Sequence, residues 1–188
     1  MLEGENILIK KAQKGDEAAF AALYDAFMPQ MYRYVFLKVS NRQEAEDLTH
    51  DMFVSAWENI GSYKPKGYSF ATWLYHISRN KVIDFYRTHR NHLDIEEVDE
   101  SAFVSSEKVD ELVDLSLEYG KVREAMNGLH PSYQDVLILR FAEDMSHQEI
   151  GEVMDKSEGA VRLMQHRALQ SLKEIIRQSK EKEPPTLV

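Results

Sequence analysis

The sequence predicts an all-α protein of two small helical domains joined by a flexible acidic linker. Three observations carry that expectation. Apolar residues recur at steps of three and four through most of the 188 residues, the period of helices that bury one face. The pattern lapses once, between His89 and Glu118, where acids and serines replace it, as in a tether that cannot bury enough surface to fold. Helix-start residues stand where the period begins or resumes, at Asp16, Asn41, Pro131, Ser146 and Ser157. The expected limits are 1–93 and 119–180 for the domains, 94–118 for the linker and 181–188 for a disordered tail with Pro184-Pro185.

Residues 5–40 read as helices. Asp16 opens one with Phe20, Leu23 and Tyr24 on a single face, and Pro29 sits near the start of the next, where Met31, Tyr32, Val35, Phe36 and Val39 form an apolar side. Asn41 caps a third helix, Arg42 to Asn59. Its buried side includes Ala45, Leu48, Met52, Val54, Ala56 and Trp57. Its exposed side holds Glu44, Glu46, Asp47, His50, Asp51 and Glu58, either a solvated face or one that invites a basic partner.

Glycines and Pro65 make 61–69 a loop, with Lys64 and Lys66 between Tyr63 and Tyr68. Rings alternating with cations suit unstacked bases, whose faces and phosphates are met together. The helix from Phe70 to Arg87 turns Trp73, Leu74 and Ile77 inward and His76, Arg79, Asn80, Lys81 and Arg87 outward. An amide among cations can read a base edge while its neighbours hold phosphates. Asp84 is expected to pair with Arg87 or Lys81. Beyond the acidic stretch, Leu112-Val113-Leu115-Leu117 hints at a helix leading into the second domain.

Pro131 starts a helix that runs to Phe141, with Val136, Ile138 and Leu139 packed inward. Ser146-His147-Gln148-Glu149 is a capping box opening a short helix through Met154. Ser157 then caps a third helix, whose stripe Val161, Met164, Ala168, Leu172 and Ile175 is buried and whose other face shows Glu158, Arg162, Leu163, His166 and Arg167. Two helices, a turn and a longer helix form the pattern of a helix-turn-helix that reads DNA. An apolar Leu163 on the polar side points to a groove or partner contact.

The net charge of −9 seems to oppose nucleic acid until it is divided along the chain. Residues 1–93 carry 12 Lys and Arg against 11 acids, residues 94–118 one against 10, and residues 119–188 10 against 11. The excess therefore lies in the linker, while Lys64–Arg90 and Lys156–Lys182 are locally basic. Phosphate attraction depends on the facing patch, so the acidic total does not exclude DNA.

Without cysteine there are no disulfides or thiolate metal sites. No nucleophile–base pair, Gly-rich phosphate loop or two-metal carboxylate set is present, so no cofactor, no metal and no enzymatic activity are expected. His89 and His92 lack further ligands nearby and read as ordinary linker residues. Asp84, His76 and Asp47 fall on different faces and do not form a catalytic set. No apolar run of about 20 residues could span a bilayer. Met1-Leu2-Glu3-Gly4-Glu5 is no signal peptide, and a cytoplasmic location without membrane insertion is expected.

These residues, in this order, resemble an RNA polymerase sigma factor of the extracytoplasmic-function (ECF) class, group 4 of the sigma-70 family. The resemblance to region 2 rests on Ala19-Phe20 with Leu23-Tyr24, on Glu44-Ala45-Glu46-Asp47-Leu48-Thr49 with Phe53 and Ala56-Trp57, and on Phe70-Ala71-Thr72-Trp73-Leu74-Tyr75 with Asn80 and Asp84. That to region 4 rests on Leu137 to Arg140, Ser146 to Gly151, and Glu158-Gly159-Ala160-Val161-Arg162 with His166-Arg167-Ala168. It implies a transcription initiation factor that binds core RNA polymerase, recognises minus-thirty-five and minus-ten promoter elements and promotes strand opening.

The implied docking face, on the polymerase β′ coiled coil, comprises Glu46, Asp47, Leu48, Asp51, Phe53 and Trp57. The melted minus-ten strand would meet Lys64, Lys66, Tyr68, Ser69, His76, Arg79, Asn80, Lys81 and Arg87. The upstream element would meet Ser157, Glu158, Gly159, Arg162, Leu163, His166 and Arg167. The acidic linker would thread polymerase channels that otherwise take nucleic acid, and an anti-sigma factor would cover both domains. Where many relatives place a small polar residue and then arginine, this chain has Leu163-Met164, so a base-reading role does not transfer to Met164. Leu163 touches either a thymine methyl or the polymerase β flap. Glu158 either accepts from a cytosine amine or serves the helix dipole. The alternative is a helix-turn-helix regulator acting by occupancy, without polymerase docking. Such a regulator would show a sensor pocket where this N-terminal half has an acidic helix followed by a basic aromatic one.

Overall fold

The computed structural model describes residues 4–65, 69–93, 122 and 124–182. The expected linker, the 112–117 helix hint and residues 183–188 lie outside them, as do Lys66 and Tyr68 of the loop. The described elements are all helical, and none is long and apolar enough to cross a membrane.

Helix α1 spans Glu5–Ala12. Gly15, at φ 86°, turns the chain into α2, where Asp16 accepts from Ala19 N at 3.0 Å. Helix α2 then runs unbroken from Glu17 to Val39, which corrects the expectation of a fresh start near Pro29. An interior proline forfeits a backbone hydrogen bond. Here Phe27, Met31, Tyr34 and Val35, all buried, hold the helix together on both sides of it, and packing overrides local propensity. Ser40 closes α2 at φ 56°, and Asn41 accepts from Glu44 N at 3.1 Å to cap α3, Arg42–Asn59.

A single tight turn, Ile60–Ser62, follows α3. Gln13 ties it down by donating to the carbonyls of Ile60 and Tyr63 at 3.1 and 2.8 Å. Helix α4, Phe70–Leu93, begins where Ser69 Oγ accepts from Thr72 N at 3.1 Å. Aromatic pairs join these helices: Phe20 with Trp57, Tyr24 with Phe53 and Phe27 with Phe70, with ring centroids 4.9, 4.5 and 5.4 Å apart. Asp84 pairs with Arg87 at 3.1 Å, as expected. Val54 does not join the buried side of α3; it is 42% exposed while its neighbour Phe53 is 3% exposed.

In the C-terminal half, residues 124–127 are helical and α5 spans Pro131–Leu137. The helix does not continue regularly to Phe141. It widens into a π turn at Ile138–Ala142, closed by Glu143 N donating to Ile138 O at 3.1 Å. The wider turn lets four consecutive residues, Val136 to Leu139, be buried together while Phe141 is left outside. Helix α6, His147–Met154, carries the complete capping box of Ser146 and Glu149. Asp155, at φ 54°, turns the chain into α7, Glu158–Lys182, where Ser157 Oγ accepts from Ala160 N. The last helix thus takes in two residues of the expected tail.

The two halves do not keep separate cores. Val136, Ile138, Leu139, Met145, Ile150, Val153, Met154 and Val161 belong to the same buried cluster as Leu23, Met31, Tyr34, Met52, Leu74 and Val82. A smaller cluster of Leu129, Leu137 and Ala168 anchors α7 to α5.

Candidate nucleic-acid and partner interfaces

Helix α7 presents its expected outer face to solvent. Val161 and Ala168 are buried and Met164 is packed on the core, so Glu158, Gly159, Arg162, His166 and Arg167 are exposed and Leu163 is 50% exposed. Ser157, also exposed, caps the end that would approach a groove. Glu158 carries an ion pair with Arg162 one turn on. That pairing gives Glu158 a role beside the helix dipole: it orients the guanidinium on the outer face.

The angle between α6 and α7 depends on Gly151. A Cβ there would lie 2.6 Å from Lys156 O, and Lys156 N donates to Gly151 O at 2.8 Å. The backbones touch, so only glycine fits.

On α3, Glu46, Asp47, His50 and Asp51 are exposed. Glu46 pairs with Arg42 at 2.8 Å, and Asp47 accepts from Gln43 at 3.3 Å. Leu48 and Trp57 are half-buried. Phe53 packs inward against Tyr24, the rings tilted at 53°, and lines an apolar recess of about 360 Å³ with Phe20, Val54 and Trp57. It shapes this face rather than projecting from it.

Helix α4 departs from expectation at one residue. Asn80 and Arg87 are exposed and Lys81 is half-buried, but the Arg79 side chain is only 16% exposed. Its Nε donates to Asp135 Oδ2 at 2.9 Å. His76, half-buried, lies 3.5 Å from Asp155 and 3.4 Å from Asn80 Nδ2. Lys64 and Ser69 are exposed at the edges of the loop.

Asp135 is the centre of a polar cluster that sequence reading missed. Its carboxylate, 3% exposed, also receives Lys38 Nζ at 2.7 Å and Tyr34 Oη at 3.1 Å. Lys38 donates besides to Pro131 O at 3.0 Å. Burial holds the Lys38 ammonium below its usual range, against the opposing pull of Asp135. Burial likewise pushes the Tyr34 phenol well up, helped by the Asp135 charge. Nearby, Glu143, its side chain 1% exposed, accepts from both Arg33 Nε and a terminal guanidinium nitrogen of Arg33 at 2.8 and 2.6 Å. It also accepts from Tyr75 Oη at 2.6 Å. The Arg33–Glu143 hydrogen bond raises the Arg33 pKa; burial first, then the same carboxylate, raises Tyr75. The signals in the sequence were an acid amid the apolar run of α5 and a lysine on the apolar side of α2. Among the described residues no three His, Asp or Glu side chains cluster as a metal site.

A helical chain that couples a capped helix-turn-helix to a second module with an acidic helix and a basic helix belongs to the class of modular DNA-binding transcription proteins. Residues 23–92 match the family model of sigma-70 region 2, and residues 119–172 match that of sigma-70 region 4. The RNA polymerase sigma factor CarQ of Myxococcus xanthus is 30% identical over 168 residues, covering 89% of this chain and 95% of CarQ. The ECF RNA polymerase sigma factor BldN of Streptomyces coelicolor is 33% identical over 171 residues, 90% of this chain but 64% of BldN. In fold, CnrH in its complex with the cytosolic domain of CnrY superposes with a TM-score of 0.70 at 23% identity, covering 93% of this chain and 98% of that one. This chain belongs to the sigma-70 family of RNA polymerase sigma factors, in its ECF class.

Proposed function

We propose that this sigma factor docks on core RNA polymerase through α3, reads the upstream promoter element with α7 and holds the opened minus-ten strand with α4 and the loop before it. The observation that carries the reading is α7: its apolar stripe is in the core while its polar face stands in solvent from a capped end. A helix packed only for stability has no need of Leu163 standing 50% exposed on that polar face. Glu46, Asp47 and Asp51 would meet the basic β′ coiled coil, with Leu48, Trp57 and the recess over Phe53 supplying apolar contact. Asn80, Lys81 and Arg87, with Lys64, Lys66, Tyr68, Ser69 and His76, would take unpaired bases and their phosphates. Opening is then favoured because each captured base gains stacking worth about 1–3 kcal/mol.

In this reading the chain recruits and positions, and performs no catalytic step of its own. It works in the cytoplasm with core polymerase and promoter DNA. The flap of the β subunit meets the C-terminal module, where Leu163 faces outward. The structure of RpoE from Bartonella quintana is a complex with the anti-sigma factor NepR; for this chain we propose a partner of the same kind. Transcription by core polymerase on sheared genomic DNA, with and without this protein, tests the proposal when the 5′ ends of the products are sequenced. New starts that share two spaced upstream elements support it. No new starts, with folded protein that binds duplex DNA alone, would return the regulator reading.

A further inference from the structure

We propose that the cleft bounded by the end of α2, the second half of α4 and the start of α5 binds a small molecule with a carboxylate on an apolar body, its head held by Arg79. The cleft has a volume of about 630 Å³, within the range of about 300–1,000 Å³ where small-molecule sites fall.

The charge of the head group follows from a count. Among the described side chains that line the cleft, Lys38, Arg79 and Arg87 are cations and Asp135 is the one carboxylate. Lys38 and Arg79 share it, Nζ at 2.7 Å from Oδ1 and Nε at 2.9 Å from Oδ2. The side chains of Lys38, Arg79 and Asp135 are 2%, 16% and 3% exposed. One positive charge is thus left over where water reaches poorly, and a charge held so is costly without a counterion. Lys38 registers the excess: burial lowers its pKa most, and the Arg79 charge lowers it further against the pull of Asp135. Arg79 can take the missing anion. Among the described residues only its Nε is engaged, and the edge formed by its two terminal nitrogens is the fork that grips a carboxylate through two parallel hydrogen bonds.

Other polar groups in the lining are already engaged. Gln134 gives its amide to the carbonyls of Met126 and Leu129 at 2.8 and 3.3 Å, and Tyr86 Oη donates to Lys38 O at 2.6 Å. With Asp135 saturated, the lining side chains offer no free carboxylate to an amine. Val82, Ile83 and Tyr86 of α4, with Leu129, give the cleft an apolar wall, which suits a ring system or a short alkyl chain better than a fully hydrated ion such as phosphate. Arg87 pairs with Asp84 in an exposed contact at 3.1 Å, which is worth little, and so adds attraction at the entrance. Apart from Arg87, these residues lie outside the faces proposed above for polymerase and DNA. The site is therefore one for an effector, and its test stands apart from those roles.

Naphthoate, a monoanion with a two-ring body, serves as the probe on the full-length protein, and naphthamide, the same body with a neutral head, as its control. Isothermal titration calorimetry should show naphthoate binding about tenfold tighter than naphthamide, the usual worth of hydrogen bonds to a charged group. Naphthoate should also shift the side-chain Nε–H resonance of Arg79 in nitrogen-correlated NMR. Arg79→Met leaves Lys38 and Asp135 as a balanced pair, so it should keep its helix content by circular dichroism and lose the preference for naphthoate. Ile83→Glu places a carboxylate at a position 41% exposed, one turn from both Arg79 and Arg87, and should weaken naphthoate more than naphthamide, by about tenfold. No binding of naphthoate, equal affinity for the two probes, or an Arg79 resonance that stays in place would overturn the site. So would native affinity for naphthoate in either variant. Should Arg79→Met lose helix, Ile83→Glu, which leaves the buried cluster intact, decides alone.

Discussion

Arg79 and Asp135 meet across 56 residues of sequence, Nε to Oδ2 at 2.9 Å. The contact places a strand-facing candidate of α4 inside the seam between the modules. Tyr75, one turn before Arg79 on α4, is bound in the same way to Glu143, and Tyr34, one turn before Lys38 on α2, shares Asp135 with it. Because the seam buries phenols, it leaves a spectroscopic mark.

Tyr34 and Tyr75 both have pKa values raised by burial. A group whose pKa is higher in the folded chain contributes stability that is complete below its ordinary value, about 10, and is lost as pH climbs through the raised value. Lys38 acts in the opposite sense: its lowered pKa costs stability below its ordinary 10.5, a cost relieved as pH rises to that value. Above about pH 10.5 the lysine effect is spent and the tyrosines act alone. At about pH 11, tyrosinate absorbance should show fewer of the nine tyrosines ionised in the native chain than in Asp135→Asn. Equal absorbance would mean that the phenols are not held by the seam.

The docking and strand-holding roles should separate by mutation. Asp51→Lys reverses a charge on the exposed acidic face of α3 and should weaken binding to core polymerase, measured by competition against a labelled native chain. Asn80→Ala, on exposed α4, should leave that affinity within about twofold, under 0.5 kcal/mol, while reducing promoter opening seen by permanganate footprinting. Unchanged core binding by Asp51→Lys would show the docking face to be misassigned.

These assignments differ in how far the sequence alone could reach them. The caps at Asp16, Asn41 and Ser146 were legible because capping is local, fixed within three residues. The outer face of α7 was legible because its buried stripe keeps helical period to the end. Pro29 misled because local propensity lost to burial of the residues around it. On α3, Phe53 and Val54 exchange expected places: the apolar side is wide, and only the packing of Tyr24 decides which is covered. The seam was illegible for a different reason. Arg79 reads as an outward cation until a carboxylate from another module is brought to it, and no periodicity encodes that meeting.

Arg162 tests the upstream reading. Arg162→Ala should reduce discrimination between the upstream element and scrambled duplex by about 1–3 kcal/mol, the worth of a bidentate base contact. Its partner sharpens the test. Glu158 holds Arg162 within the free chain, so Glu158→Gln, which removes a negative charge and frees the guanidinium, should strengthen duplex binding generally if the acid reads no base. Loss of preference at a single base pair would instead mean that Glu158 itself reads a base. Fluorescence anisotropy over a salt series, on the promoter found from mapped transcription starts, separates the two outcomes.

Gly151 tests whether the turn geometry sets recognition. A methyl there would sit 2.6 Å from Lys156 O, closer than van der Waals contact allows, and the opposing atom is backbone, which cannot swing aside. Gly151→Ala should therefore push α7 away from α6 and destabilise the C-terminal module by about 1–3 kcal/mol, read as a lower urea midpoint. Because α6 also packs on α4 within the shared core, the same change should loosen the seam and lengthen the distance between spin labels on Asp25→Cys and Gln170→Cys, exposed positions on the two modules. Upstream-element binding should fall with it, while core polymerase affinity, which the proposed function assigns to α3, should hold. A variant that is destabilised yet keeps both its label distance and its duplex affinity would show that the turn contributes to stability alone.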